Sequence, residues 1–551
     1  MPKRRARPLE RSSYADPRWV DLVCLALAAA VLVVFRIHAF DLPLETDECN
    51  YAYIAARLLE GERLYLDVWD HQPFGIFALF AGVIALFGDS PEVFRWLATA
   101  FSLSSLVLIH EIVRVSAGRC AAVTAVLLFA VASSDPGTAG EGCNREIYMN
   151  TLILFAWYIA MRPTLKPGSC ALASGCALGV ASSIKTIVAV HWVLLAAWIG
   201  FRALRRAPVD ARWRSTLAAL ATFVAGPAAV WVAVFAYFAL TQRLAQFTDA
   251  VFMFNLSYSG EMHGVFDRFV GFFTPQSHPF IFESARPLWV GGAAGAVWLI
   301  IESLRHRSSK AVAIVLLVIA GYAATCLPGK FWPHYYYLLV PAMVVSLSAA
   351  MGSLARVLGG GLSSAGPRLR RAAIVLLYVA PSISLCWSEY SHYLSQAPFG
   401  ITVTRYNSRD FWGRAQGENV RRVTEPGDTI FVFGNEAEIY YYSQRRCASR
   451  YTMITGIQSG YAEARRRRAT LLAELEQDPP RLILVLFDED PFPEWKDYLE
   501  RHYSEPIGWD LHDRTGKPIM FVVSRKDKPV ESIDWNWDRR RVGGWLLGDR
   551  R

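Results

Sequence analysis

Eleven apolar runs that read as membrane spans constrain this chain more than any other feature. They lie near 19–40, 92–113, 117–134, 147–162, 170–185, 186–204, 215–240, 287–304, 311–327, 334–356 and 372–390. A hydrocarbon core of about 30 Å asks for roughly 17–25 apolar helical residues. A further run, Pro73 to Gly88, has 16 residues and would make a helix of about 24 Å, short for a crossing. The basic clusters decide its status. If 73–88 stays on one side, Arg114/Arg119, Arg162/Lys166, Arg202/Arg205/Arg206/Arg212/Arg214, Arg305/Arg307/Lys310 and Arg356/Arg368/Arg370/Arg371 all share the side of the basic N-terminus. If it crosses, all of them flip, against the positive-inside rule. The expectation is an α-helical polytopic membrane domain of about 11 transmembrane helices over residues 1–390. Residues 73–88 then lie in or dip into the outer face. The first span follows Lys3, Arg4, Arg5, Arg7 and Arg11 and reads as a retained signal-anchor.

Composition agrees. Of 551 residues, 53% are hydrophobic and 19% charged, too apolar for an ordinary soluble enzyme and unlike a disordered or nucleic-acid-binding tail protein. The net charge of +9 is therefore a topology signal. The expected location is the inner (plasma) membrane, with the N-terminus cytoplasmic and the C-terminal domain periplasmic or extracytoplasmic. After residue 390 the character changes: Ser391–Arg551 holds 25 Lys+Arg and 24 Asp+Glu. Residues 391–530 read as a small soluble α/β domain with a parallel core. Strands are expected near 429–434, 481–487 and 519–524, and helices at 462–477 and 492–503. Residues 531–551, rich in Trp and Arg, read as a tail on the membrane or without order.

On this topology four segments share the outer face: 41–92, 135–146, 241–286 and 328–333. They collect nearly every unusual polar residue of the membrane part. Acidic and basic groups converging on one face after short spans suit a site working on a lipid-linked substrate. One series of these residues carries a resemblance: Thr46-Asp47-Glu48-Cys49-Asn50-Tyr51-Ala52-Tyr53, Leu59-Glu60-Gly61, Leu64-Tyr65, Asp67 and His71-Gln72-Pro73-Phe74. It continues with Glu92-Val93-Phe94-Arg95, Asn144-Arg145-Glu146, Gly329-Lys330-Phe331-Trp332-Pro333-His334-Tyr335 and, in the tail domain, Asp428–Gly434 with Ile439-Tyr440-Tyr441. In order, these resemble the C-type glycosyltransferase superfamily. Within it they are most similar to the bacterial branch related to protein O-mannosyltransferases and lipid A aminoarabinose transferases. Where relatives often have Pro-Pro, this chain has Pro73-Phe74.

The resemblance implies an enzyme that moves a sugar from a polyprenyl phosphate to an acceptor (protein, lipid or glycan), usually with inversion. Such transfer needs a carboxylate within reach of the acceptor hydroxyl; Asp47 is the candidate base, Glu48 the second, and Glu146 a supporting or metal-binding group. The departing phosphate needs positive charge and N–H donors; Lys185, Arg95, Arg145, His71, Lys330 and His334 are candidates. Each has a plainer reading. Asp47 caps a helix, and Glu48 and Glu146 serve helix dipoles. Lys185 snorkels, Arg95 anchors at the interface, His71 bonds within its loop, and His334 belongs to an aromatic belt. Asp47, Glu48, Glu141 and Glu146 also offer hard oxygen ligands to Mg²⁺ or Mn²⁺, whereas no zinc spacing, phosphate-cradling glycine loop or dinucleotide fingerprint occurs. Cys49 and Cys143, each beside an acidic motif, are a candidate disulfide. The competing class is a transporter or flippase of lipid-linked glycans. It is disfavoured by the absence of an internal repeat and by acids that cluster in loops at one face. A sensor leaves the acidic first loop unexplained.

Overall fold

The computed structural model describes residues 18–162, 167–260, 264–273, 279–361, 366–397, 400–401, 409–461, 463–487, 491–511, 518–530 and 534–535. The basic N-terminal residues, Lys166 and most of the 531–551 tail lie outside these.

The protein is a multi-pass membrane protein. Among the described residues nine helices are long and apolar enough to cross a membrane: Trp19–Ile37, Pro91–Ala117, Pro167–Ile184, Thr186–Arg206, Val209–Leu240, Arg286–His306, Ser309–Cys326, Pro333–Gly359 and Pro367–Leu394. The two remaining expected runs form shorter helices, Arg119–Ala132 and Arg145–Met161. Each of the eleven runs is thus helical, and Gly75–Phe87 is a separate 13-residue helix. In chain order the first eight helices are α1 (Arg18–Ile37), α2 (Thr46–Leu59), α3 (Gly75–Phe87), α4 (Pro91–Ala117), α5 (Arg119–Ala132), α6 (Arg145–Met161), α7 (Pro167–Ile184) and α8 (Ala189–Arg206).

Why α5 is short follows from its place. It is packed among α1, α4 and the helices Val340–Gly361 and Pro367–Glu389, and Ala121, Ala125, Leu128, Phe129 and Ala132 are fully buried. A helix sheathed in protein need not match the lipid thickness. The outer helices do the opposite: Leu22, Leu27, Val34, Val193, Val232, Val290 and Leu376 project exposed from their surfaces. That much bare apolar surface is stable in lipid and a liability in water. Close approaches of helices use small residues. A Cβ on Gly175 of α7 would lie 2.1 Å from Phe223 O. One on Gly75, at the start of α3, would lie 2.5 Å from Ser183 O. The second contact seats the first loop directly beside the α7–α8 junction, where Lys185 sits.

The C-terminal domain carries a five-stranded sheet of order β2-β1-β3-β5-β4. β1 (Thr429–Phe433) lies parallel to β2 (Arg446–Cys447) and to β3 (Leu482–Leu486). β5 (Pro518–Ser524) is antiparallel to both β3 and β4 (Gly508–Leu511). The expected parallel core is present, flanked by an antiparallel pair that the sequence did not announce. Helices Ala464–Gln477 and Pro493–His502 fall where expected. Trp535, assigned by sequence to a surface tail, is instead 1% exposed. Its indole fills the space a Cβ would need at Gly508, and its carbonyl accepts from Gln416 Nε2 at 2.9 Å.

Candidate active site

The site is built on α2. Its N-cap is Glu45, and a capping box ties the ends of its first turn: Glu48 at N3 accepts from the Glu45 backbone N–H at 3.2 Å. This reciprocal arrangement uses Glu48 structurally. Glu48 is 1% exposed and accepts from the Cys143 backbone N–H. It faces Arg95, whose Nη2 is 3.4 Å from Glu48 Oε2. Arg95 is 4% exposed and also donates to Pro43 O at 3.0 Å and Glu141 O at 3.4 Å. So Glu48 and Arg95, two sequence candidates for chemistry, are partners in a buried clamp. The clamp joins the loop of residues 41–92 to that of residues 135–146. From the other side Arg36, near the end of α1, donates to Gly140 O at 2.7 Å and to Ser133 O and Gly142 O at 3.2 Å. A Cβ on Gly142 would lie 2.6 Å from Glu48 Oε1, so only glycine lets the loops close this far.

One turn of helix separates the groups of the site itself. Asp47 and Tyr51 share a face of α2, four residues apart. Tyr51 Oη donates to Asp47 Oδ2 at 3.2 Å and accepts from Arg145 Nη1. Arg145 Nη2 is 3.7 Å from Asp47 Oδ2, and its guanidinium lies over the Tyr51 ring, 5.5 Å from the centroid. His334 Nε2 is 3.9 Å from Asp47 Oδ2. Asp47 keeps 29% of its side chain exposed, whereas Arg145 keeps 2%. Behind them Lys185 Nζ donates to Glu146 Oε1 at 2.9 Å and sits 3.4 Å from the centre of the Tyr335 ring. Glu146 is fully buried, and its Oε2 has no hydrogen-bond partner among the described residues. Lys185 does not snorkel; it is 8% exposed. Burial pushes its ammonium down to about 7, against the Glu146 carboxylate, which favours the charged form.

The other histidine candidate occupies the rim. His71 Nε2 is 2.7 Å from the Gln72 amide, and the imidazole packs at a tilt against Phe254 and Tyr258, with ring centroids 5.3 and 5.2 Å away. Burial drives its pKa down to about 3, with help from the Arg145 charge, so it is neutral. Asp70 beside it is pushed up to about 7 by burial. Lys330 Nζ lies 4.2 Å from the centre of the Tyr258 ring and 5.9 Å from that of Tyr461.

Asp47, Arg145, Glu146, Lys185 and His334 therefore converge, with His71 and Lys330 on the rim. Two expectations are corrected. Cys49 and Cys143 form no disulfide with each other, and Cys49 Sγ donates to Leu44 O at 3.5 Å; the two loops meet through Glu48 and Arg95 instead. Asp47, Glu48, Glu141 and Glu146 do not form one oxygen cage, since Glu48 faces Arg95 and Glu146 faces Lys185. Among the described residues no group of three or more His, Cys, Asp or Glu side chains is arranged to hold a metal ion. Tyr51, Tyr335 and Arg36 were not singled out from sequence. Tyr51 was legible, four residues after Asp47 on a helix; Tyr335 carries no local signal for its place over Lys185.

Residues 71–231 match the family model described as dolichyl-phosphate-mannose-protein mannosyltransferase. No curated protein matches the chain in sequence. Solved structures match at low identity over most of its length. ArnT from Cupriavidus metallidurans bound to undecaprenyl phosphate is 14% identical, with 92% of this chain and 98% of that chain covered and a TM-score of 0.58. Its apo form is 15% identical over the same shares, with a TM-score of 0.56. The archaeal oligosaccharyltransferase AglB from Archaeoglobus fulgidus, in complex with an inhibitory peptide and a dolichol phosphate, is 13% identical. There 85% of this chain and 69% of that chain are covered, with a TM-score of 0.51. The C-type resemblance read from the sequence is thereby borne out: the chain has an ArnT-like membrane fold with a small C-terminal sheet domain.

Proposed function

We propose that the protein is an integral-membrane glycosyltransferase that passes a sugar from a polyprenyl-phosphate donor to an acceptor at the outer face of the membrane, with inversion. The observation that carries this reading is the contrast among its carboxylates. Glu48 and Glu146 are buried and held by Arg95 and Lys185, while Asp47 alone of the three keeps a partly exposed carboxylate. Similarity to a structure that holds undecaprenyl phosphate supports the class of donor. In the reaction Asp47 takes the proton of the acceptor hydroxyl as its oxygen attacks the anomeric carbon. The bond from that carbon to the phosphate oxygen breaks, and the phosphate leaves with the electron pair. Arg145, Lys185 and His334 line the side on which that charge would collect; Arg145 is a fixed, always-charged fork. The poise of Lys185 fits this role. Its charge is marginal while only Glu146 and Asp47 oppose its burial and Arg145 disfavours it; an arriving phosphate favours the ammonium.

Lys185→Ala is expected to weaken binding of undecaprenyl phosphate by about 1.5–3 kcal/mol, the worth of a hydrogen bond to a charged group. In the wild type, affinity should hold below pH 7 and fall as pH rises through 7, because the neutral amine no longer attracts phosphate. Titration of the purified protein with undecaprenyl phosphate, followed by tryptophan fluorescence, reads both effects. An unchanged affinity in Lys185→Ala would return this lysine to a purely structural pairing with Glu146.

A further inference from the structure

The first outer loop is held from two directions, by the membrane helices and by the C-terminal domain. Trp69 pairs with Tyr451 in a short parallel bridge, with the Trp69 N–H donating to Arg450 O at 2.9 Å. Gly456 abuts the Trp69 ring so closely that a Cβ there would lie 2.5 Å from it. The Arg467 guanidinium covers the same ring at 5.3 Å and reaches Asp249 at 3.0 Å. Beneath this contact runs a buried polar chain. Thr452 Oγ1 donates to Asn50 Oδ1 at 2.6 Å. Asn50 Nδ2 donates to Asp70 Oδ2 at 2.5 Å. Asp70 Oδ1 accepts from the Gln72 N–H at 2.7 Å and faces His71 Nδ1 at 3.5 Å. Thr452 and Asn50 are 1% exposed and Asp70 5%. A fully satisfied buried chain of this kind specifies one arrangement, because breaking any link strands a polar group away from water.

We infer that Thr452 of the C-terminal domain is a positioning residue, which sets the His71 imidazole at the rim of the active site through Asn50 and Asp70. The domain is then a working part of the site. His71 is the end of the chain that matters: Gln72 Nε2 can only donate, so His71 Nε2 accepts and the Nδ1–H is left to face Asp70. The charges acting on the ring are those of Asp47, Arg145, Lys185 and Lys330, all candidates for the reaction. The inference rests on the glycosyltransferase reading for its kinetic consequence but not for its geometry.

Two measurements separate these. Modification of His71 by diethyl pyrocarbonate, followed by peptide mass spectrometry, needs no substrate. Thr452→Val should raise the rate of His71 modification several-fold, with Thr452→Ser restoring protection and His334 unaffected. In a transfer assay with polyprenyl-phosphate sugars, Thr452→Val should lower kcat on the order of 10-fold to 100-fold, the scale of a small misplacement within an active site, and leave KM for the donor little changed. Asp70→Asn should do the same, and the double variant should be no worse than Asp70→Asn alone, because both break one chain. Unchanged His71 reactivity in both single variants, or additive losses, would overturn the inference. If Thr452→Val does not fold, Asp70→Asn carries both readouts. Absence of transfer by the wild type with normal His71 protection would sink the functional reading and leave the positioning chain standing.

Discussion

Asp47→Asn is expected to lower kcat by about 10²–10⁴-fold, the usual worth of a positioned general base, with the protein folded and KM for the donor nearly unchanged. The geometry makes the substitution a clean one. The amide keeps the shape and still has an oxygen to accept from Tyr51 Oη, which donates to Asp47 Oδ2 at 3.2 Å. What is removed is the capacity to take a proton, together with the negative charge that faces Arg145. Arg145 at 3.7 Å and His334 at 3.9 Å remain in place, so phosphate recognition survives. A variant that transfers at a near-normal rate would move the base elsewhere. Glu146 would then be next to test, since its Oε2 lacks a hydrogen-bond partner among the described residues.

The second large effect concerns stability. Arg95→Ala is expected to destabilise the protein by about 3–5 kcal/mol, the cost of removing one partner of a buried ion pair. Glu48, 1% exposed, would be left with a buried charge answered by the Cys143 and Glu45 backbone N–H groups and the Cys143 thiol, with no cation opposite it. Pro43 O and Glu141 O would lose their donor as well. Thermal unfolding in detergent, followed by tryptophan fluorescence, measures this. Glu48→Gln should cost less, because a neutral amide still accepts hydrogen bonds and leaves no buried negative charge. Normal stability with weakened donor binding would mean that Arg95 touches the donor after all, as its place at the start of a span first suggested.

Much of this architecture was legible because membrane physics writes it in long repeats. The eleven helical runs follow from run length, and nine of them are long and apolar enough to cross a membrane among the described residues. Gly75–Phe87 is a helix of its own, at the short apolar run that the sequence set apart. Asp47, Arg145, Lys185 and His334 were legible as candidates because their loops carry unusual polar residues. What sequence did not separate is which acid works and which one holds. Asp47 and Glu48 are adjacent and chemically alike. The difference is that Glu48, at the third helical position, closes a capping box and meets Arg95, while Asp47, one residue earlier, points to Arg145. That distinction needs α4 and the second loop in three dimensions. The chain Thr452–Asn50–Asp70 was equally hidden, since its members are 20 and 402 residues apart and no local pattern marks such a contact. Trp535 misled because a Trp/Arg-rich terminus has the composition of a membrane-surface segment; a single indole buried against Gly508 leaves no trace in composition.

The central claim is that bond cleavage at a lipid-linked sugar, not transport of one, is what this site does. It is tested most directly by incubating the purified full-length protein in liposomes with radiolabelled polyprenyl-phosphate sugars and an envelope lipid and glycan extract, and measuring free polyprenyl phosphate. Wild type should release polyprenyl phosphate and place the label on an acceptor, while Asp47→Asn releases almost none. Movement of intact polyprenyl-phosphate sugar across the bilayer, with no release and no difference between wild type and Asp47→Asn, would contradict it.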